Sequence, residues 1–469
     1  MSTVPQVSQA MQWVLNEYPR QIERKVGFVQ RSTAKLDGPT FVRGLVLGWM
    51  AQPEASYSQL RSSLATLGAN VKTQAVEQRF GEASVKLFKE VLQEGIKQVV
   101  CHEGGVPELF SRFNGVYTQD GSIVPLPASM QEQYPGCGGY TEEAGLSSMR
   151  LEVRWEQSHG GMSGPWITAG REAEHEGEAR EEHLPEGSLF VGDSKYFSLA
   201  SMRARGKAGG FWLTPAKADL HFYDPQGIRT DLVSYLIKHK DEKVVDIQIQ
   251  AGLRARLPSR LIAVRLDPEV GNRQQRRMKA RIVLYQRAAS KGVQRSGPKA
   301  SKKPKSGKRR EKTKRTSKSR LRIGDWVILL TNVPKEQLSA QEALVIMRCR
   351  WQIELLWKLW KQYGKIDAWR SENPARIETE IYAKILGLLI EHWMTILGCW
   401  EDPQRSLRKA QQVTQWGASA LGFALIGEMS LSRAIQIITE SMSNGCRINS
   451  RRKKPNTYQL VRDPKLISP

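Results

Sequence analysis

One segment, Arg295 to Arg320, constrains this chain more than any other: its 26 residues carry 13 Lys and Arg, one acidic residue (Glu311) and no apolar side chain larger than Ala300. Such a run cannot offset the entropy of ordering by burying anything. It reads as a flexible polybasic arm that interrupts the folded regions. Its net charge of +12 is half of the chain's formal +24. A cationic excess of this size attracts a polyanion, either a phosphate backbone or an anionic membrane surface.

Outside the arm there is ample material for cores. The chain has 469 residues, 40% of them hydrophobic, with 13 Trp, and a length of this order suggests about three domains. Cys101, Cys137, Cys349, Cys399 and Cys446 are odd in number and include no C-x2-C pair, which argues against a zinc site or a secreted disulfide framework. Met1 to Arg20 mixes polar and apolar residues with no signal-peptide stretch, so the expected location is the cytoplasm. Ile381 to Trp400 is apolar but contains Lys384, Glu391 and His392. Each is costly at a bilayer centre, so the stretch reads as a buried core helix and no membrane partner is expected.

Local patterns order the rest. Leu60, Leu64 and Leu67 share a helical face, followed by the turn Gly68-Ala69-Asn70 and a second helix from Thr73. That arrangement suits either a DNA-reading module or a small helical bundle. Short β-type runs follow at Phe113–Thr118, Arg150–Trp155, Trp166–Thr168 and Ser188–Val191. A second strand-rich stretch, Phe211–Asp267, precedes a helix around Asn272–Arg287, and a strand at Trp326–Leu330 follows the arm. Ser339 and Glu342 form a capping box that opens a helix running to Tyr363, with Gly364 at its stop. At 100° per residue Cys349, Ile353, Leu356, Trp357 and Trp360 make one apolar stripe, and Met347, Arg350, Glu354 and Lys361 lie in a band beside it. Asn373-Pro374 caps the next helix. Amphipathic segments Leu407–Trp416 and Leu431–Met442 then lead to a basic tail with Arg447, Arg451, Arg452, Lys453 and Lys454.

Several chemistries lack their motifs. No G-x4-G-K-[ST] loop is present, since Gly206-Lys207-Ala208 lacks both the first glycine and the hydroxyl, so no nucleotide cofactor is expected. There is no H-E-x-x-H and no G-x-S-x-G, and His102, His175 and His183 read as solvated or core residues. Carboxylates remain. Asp120 follows the strand through Val116 and Tyr117, and Asp193 follows Leu189-Phe190-Val191. Each also has a plain reading: Asp120-Gly121-Ser122 as a turn, Asp193-Ser194 as a cap.

Taken with the helix-borne Glu354, these two aspartates resemble the Asp-Asp-Glu set of DNA transposases. Arg350-Trp351-Gln352-Ile353-Glu354 followed by Lys361 matches the R-x3-E-x6-K part of the Y-x2-R-x3-E-x6-K signature of insertion-sequence-four-type DDE transposases. Further stretches are similar to that family: Asp120-Gly121-Ser122 with Pro125-Leu126-Pro127, Gly136-Cys137-Gly138-Gly139, and Leu329-Leu330-Thr331-Asn332-Val333-Pro334. Met347 stands where the signature has its tyrosine, which removes a hydroxyl contact to DNA phosphate. Trp326 aligns with a tryptophan that stacks on a displaced base in hairpin-forming relatives, and it also reads as a core aromatic.

The resemblance implies an α/β fold, a ribonuclease-H-like core of mixed sheet flanked by helices and interrupted by a β-rich insertion, with helical N- and C-terminal regions. The corresponding segments are residues 1–105 (helical, DNA-binding), 106–205 (first part of the core), 206–324 (insertion, with the arm at 295–320), 325–400 (second part of the core) and 401–469 (helical, basic tail). It implies Asp120, Asp193 and Glu354 as catalytic metal ligands for two Mg²⁺ ions, with Mn²⁺ as a substitute. Arg350 and Lys361 are implied as phosphate clamps and Trp326 as a further DNA contact. Double-stranded DNA, as transposon ends and target, is the implied partner, engaged by a homodimer. The implied reaction is hydrolysis at insertion-sequence ends followed by transfer of the 3′-hydroxyl into target DNA. Two alternatives use the same charge without that chemistry: a catalytically silent DNA-binding regulator derived from a transposase, and a structural nucleoid or membrane-surface protein.

Overall fold

The computed structural model describes residues 4–31, 35–102, 104–138, 145–172, 183–290, 321–400, 402, 404–448 and 457–466. The 295–320 arm lies outside the described residues, as do His175, Gly139 and the tail cations Arg451 to Lys454. In chain order the helices are α1 (Val4–Gln12), α2 (Tyr18–Ile22), α3 (Gly38–Ala51), α4 (Tyr57–Thr66), α5 (Thr73–Glu77), α6 (Glu82–Lys97), α7 (Glu108–Ser111), α8 (Leu199–Lys207), α9 (Leu232–Lys238), α10 (Pro268–Ser290), α11 (Ala340–Cys349), α12 (Trp351–Lys358), α13 (Pro374–Cys399), α14 (Leu407–Trp416), α15 (Ala418–Leu425), α16 (Leu431–Gly445) and α17 (Thr457–Arg462). The strands are β1 (Val116–Pro125), β2 (Ser148–Glu156), β3 (Met162–Ala169), β4 (Leu189–Val191), β5 (Phe211–Pro215), β6 (His221–Tyr223), β7 (Arg229–Asp231), β8 (Val244–Ala251), β9 (Leu257–Arg265) and β10 (Trp326–Thr331). The fold class is α/β, as expected of a ribonuclease-H-like core.

Packing divides the chain into two units, Met1–Pro185 with Cys349–Arg462, and Glu186–Arg348 with Asp463–Pro469. These breaks differ from the five segments expected. In the first unit the N- and C-terminal helices share one apolar core with β1, β2 and α13, so they do not form regions of their own. The helical reading of the N-terminal pair holds in part. Leu60, Leu64 and Leu67 are buried and Gly68 takes φ +85°, but the second helix, α5, has only five residues.

Helix α13 organises the first unit. Asn373 Oδ1 accepts from the amides of Ala375 and Arg376 at 2.9 and 3.3 Å, and Pro374 occupies the first turn, where its missing N–H costs nothing. The helix is long and apolar enough to cross a membrane, but 94% of its most apolar window is buried inside the protein. Burial on all sides demands partners for its polar groups, and they are present. Glu380 pairs with Arg376 at 3.3 Å and with Lys384 at 2.7 Å, all three side chains being almost fully enclosed. The Arg376 guanidinium also lies over the rings of Tyr57, Phe80 and Trp49 at 4.0, 5.0 and 5.4 Å. Glu378 accepts from the hydroxyls of Tyr134 and Tyr382, each at 2.6 Å. His392 Nε2 donates to the carbonyl of Gly160 at 2.7 Å. Gly160 is needed there: its φ is +80°, and a Cβ would lie 2.2 Å from Ile396 Cδ1.

One buried carboxyl gives this core a pH dependence. Desolvation pushes Glu391 up to about 8, against Gln411, Gln415 and Arg408, while burial pushes the adjacent His392 down to about 4 against its bond to Gly160. Between pH 4.5 and 8 the folded chain retains a proton on Glu391 that the unfolded chain releases, so stability falls as pH rises. His392 acts with the opposite sign up to its ordinary value of 6.5. The two oppose each other below 6.5, and the Glu391 decline stands alone from 6.5 to about 8. The expected melting temperature is therefore several degrees lower at pH 8 than at pH 6.5, and Glu391→Gln should flatten that interval.

In the second unit the strand order is β4-β5-β10-β9-β8-β6-β7. β4 and β5 run parallel through the crossover helix α8, and the other pairs are antiparallel. Phe211 therefore begins a strand paired with β4, whereas residues from 206 onward were expected to belong to the insertion. Trp212, Phe222, Leu261 and Trp326 belong to this unit's core. Arg260 is buried with a bidentate hold on Asp246, Nε–Oδ1 2.7 Å and Nη2–Oδ2 2.8 Å.

Candidate active site

Strand β1 carries Asp120 in its interior and not at its end, since Asp120, Gly121 and Ser122 pair with Val153, Glu152 and Leu151 of β2. The turn reading of Asp120-Gly121-Ser122 is thereby corrected: thirty residues on, β2 supplies ladder partners that outweigh local turn propensity. Alternation places Thr118, Asp120, Ser122 and Val124 on one face. Their β2 partners Trp155, Val153, Leu151 and Met149 share a core with Ile353, Leu356 and Trp357 of α12. Asp120 thus sits, half-buried, on the side of the strand that faces the helix bearing Glu354. The opposite face holds a separate relay in which Arg154 Nε donates to Gln119 Oε1 at 3.0 Å and Gln119 Nε2 donates to Glu152 Oε1 at 2.6 Å.

The helix itself forms as its pattern dictates, with one departure. Ser339 N donates to Glu342 Oε2 at 2.8 Å and Glu342 N to Ser339 Oγ at 3.3 Å, the two halves of the capping box. Cys349, Ile353, Leu356, Trp357 and Trp360 are all buried. The helix is not continuous, however: Arg350 is a turn between α11 and α12, and Leu359–Tyr363 is a π-helical turn, the kind of irregularity that is frequent at functional sites.

Glu354 lies in the first turn of α12, 31% exposed, and its Oε1 accepts from Arg350 Nη2 at 2.5 Å. Lys361, on the π-turn, is half-buried and its Nζ donates to the carbonyl of Ile123 in β1 at 2.6 Å. Desolvation lowers its pKa, with Asp367 opposing. In this structure both cations of the signature serve the protein. Arg350 orients Glu354, and Lys361 ties the helix to the strand that carries Asp120.

Asp193 stands in the second unit, just past β4. Its Oδ1 accepts from the amide of Ser194 at 2.6 Å and it caps the short 3₁₀ turn Ser194–Tyr196. Trp326 is 7% exposed and opposes Arg265 across the β10–β9 ladder, in the position of an ordinary core aromatic. The structure therefore brings Asp120, Glu354, Arg350 and Lys361 onto packed elements of one unit, and Asp193 and Trp326 belong to the other. The implied donors are three carboxylates without His or Cys, the oxygen-only chemistry that Mg²⁺ prefers. They fit the ion in kind.

One exposed aromatic side chain drew no reading of its own from the sequence. Trp351, beside Arg350, is 54% exposed, and Lys358, seven residues on and so on the same side, is exposed as well. The signal was available in the helical wheel, where Trp351 falls off the apolar stripe. A large exposed aromatic flanked by cations suits base stacking beside a phosphate path. Trp351→Ala should weaken binding to DNA with unpaired bases roughly tenfold, about 1–3 kcal/mol per stacked base. Because the side chain is exposed, the melting temperature should not move; gel-shift titration and a thermal melt check both.

Residues 120–390, a stretch that begins at Asp120 and includes Asp193 and Glu354, match the transposase DDE domain family. The chain belongs to that family. Relatives of this transposase-family chain include the transposase for insertion sequence element IS231F of Bacillus thuringiensis subsp. israelensis, 25% identical over 82% of this chain and 79% of the relative. The transposase for IS1151 of Clostridium perfringens is 22% identical over 68% and 65% of the two chains. The putative transposase InsL for IS186A of Escherichia coli (strain K12) is 27% identical over 43% and 45%. Among solved structures, a piggyBac transposase synaptic complex with hairpin DNA aligns with 97% of this chain and 87% of that chain, at 8% identity and a TM-score of 0.44. A similarity that loose specifies no shared detail.

Proposed function

We propose that this chain is a transposase that cuts DNA at the ends of an insertion sequence and joins the released 3′-hydroxyl to target DNA, with Asp120, Asp193 and Glu354 acting together. The observation that carries the reading is the packing of the Asp120 strand against the Glu354 helix inside a segment that matches the family throughout. A pair of Mg²⁺ ions, or Mn²⁺, would supply charge neutralisation at the entering and departing oxygens when bound.

The chain's own residues do the positioning. Arg350 holds the Glu354 carboxylate in one orientation, and Lys361 fixes the spacing between helix and strand. Both cations stand where a phosphate could compete for them, so end binding would release Glu354 as Arg350 turns to the backbone. Joining exchanges one phosphodiester for another and needs no nucleotide cofactor. The reading places the chain on DNA in a bacterial cytoplasm, as a homodimer that holds two ends.

A second reading is a catalytically silent DNA-binding regulator, which would use the same cationic surface without the carboxylates. Purified chain incubated with a plasmid bearing the element's two ends separates them. Mg²⁺-dependent nicking at the ends supports the transposase, and retention of the DNA without cleavage supports the regulator.

A further inference from the structure

Helix α10 in the second unit has an inner and an outer face that are chemically distinct. The inner face is fixed by Gln275, whose Nε2 donates to Asp325 Oδ1 at 2.8 Å, by Gly271, whose Cβ position is 2.8 Å from the same oxygen, and by Met278, which packs against Gly324. Positions 271, 275 and 278 form one stripe, so Arg273, Arg276 and Arg277 point the other way. All three are exposed, and none has a carboxylate partner among the described residues. Between α9 and α10 the same unit holds a cleft of about 500 Å³ whose rim carries Lys240, Arg265, Lys279 and Arg322. These four also lack carboxylate partners among the described residues. Asp325, the one acid in the cleft, is already engaged by Gln275.

We propose that this unit carries a docking surface for the phosphate backbone of duplex DNA, built on the outer arginines of α10 and extended by the cationic rim of the cleft. It rests on the reading that the chain acts on DNA, and it adds a site separate from the Glu354 helix. Cations three and four residues apart stand about 5–6 Å from one another at Cβ, so each can take a different phosphate of one strand. Guanidinium groups suit phosphate by their planar fork of donors. Over residues 268–280, the part of α10 whose side chains are described, Val270 is the one exposed large apolar side chain. A membrane-surface helix needs a stripe of large apolar side chains; this stretch presents arginines instead, whose charge and donor geometry fit a polyphosphate. Phosphate contacts carry no sequence information, so the surface fits flanking or target DNA better than the element's own ends.

The test uses the full chain, a fluorescent duplex that lacks the element's ends, and salt from about 50 to 200 mM, the range over which phosphate contacts show. R273Q/R276Q/R277Q should bind roughly tenfold more weakly and lower the slope of log K against log salt by about 2–3, at about 0.9 per phosphate contact. R273K/R276K/R277K should keep most of the slope. K89Q/K335Q/R433Q, which removes the same net charge elsewhere, should change it little. An unchanged slope in the Gln triple, an equal loss in the charge-matched control, or a preference of the wild type for anionic vesicles over duplex at matched salt would each overturn the proposal. A wild type that binds no duplex at any salt would overturn the DNA-acting reading as well. A wild type that binds duplex with the same slope as the Gln triple removes only this surface.

Discussion

Replacing Glu354 by Gln is expected to reduce Mg²⁺-dependent end cleavage by more than about 100-fold while leaving DNA binding within a factor of about two. Loss of an outer partner of a metal ligand typically costs 10–100-fold, and loss of the ligand's own charge should exceed that. Gln keeps the size of the side chain and still accepts from Arg350 Nη2, which now bonds the Glu354 oxygen at 2.5 Å, so α12 should stay in place. Plasmid nicking in Mg²⁺, paired with a gel shift on the same DNA, reads the two quantities separately. Cleavage that survives in the variant would remove Glu354 from the chemistry and return it to a helix-surface ion pair.

Glu380→Ala should be the most destabilising single change in the first unit, by about 3–5 kcal/mol. Glu380 lies between Arg376 and Lys384 at 3.3 and 2.7 Å, with all three side chains almost entirely enclosed. Removing the carboxylate leaves two buried cations. Lys384 Nζ would keep its bonds to the carbonyls of Lys365 and Ala368 at 2.9 and 2.7 Å, and Arg376 would keep its aromatic surround. Neither set of partners cancels a charge. Desolvation already lowers the pKa of Lys384 against the pull of Glu380, so the variant should shed that proton more readily and recover part of its loss at high pH. Thermal melts at two pH values measure this, and Glu440→Ala, which breaks a mostly exposed pair with Arg433 at 3.8 Å, should leave the transition where it is.

What could be read from the residues was local. The apolar stripe from Cys349 to Trp360, the Ser339/Glu342 box and the Asn373 cap each involve side chains within a few turns of one another, where period and propensity decide the outcome. Pairings across long separations were not legible. Asp120-Gly121-Ser122 has turn chemistry but is held extended by β2, and Lys361 meets the carbonyl of Ile123 from 238 residues away. Helix α15 escaped notice because Gly417 and Gly422 weaken its pattern. Gly422 serves packing, since a Cβ there would stand 3.0 Å from Leu67 Cδ2. The shared core of the N- and C-terminal helices has no local signature at all, because amphipathic faces do not name their partners. Of the site, Asp120, Glu354, Arg350 and Lys361 stand out only through the resemblance to the family's signature, and nothing in the residues foretells that both cations bond inside the protein.

The central claim, that Asp193 acts with Asp120 and Glu354, is tested most directly by Mn²⁺ binding to the full chain on end-bearing DNA, followed by electron paramagnetic resonance. Two dipolar-coupled ions per active site are expected for the wild type, with the coupled signal lost in Asp193→Asn, Asp120→Asn and Glu354→Gln alike. An unchanged coupled signal in Asp193→Asn would contradict the claim.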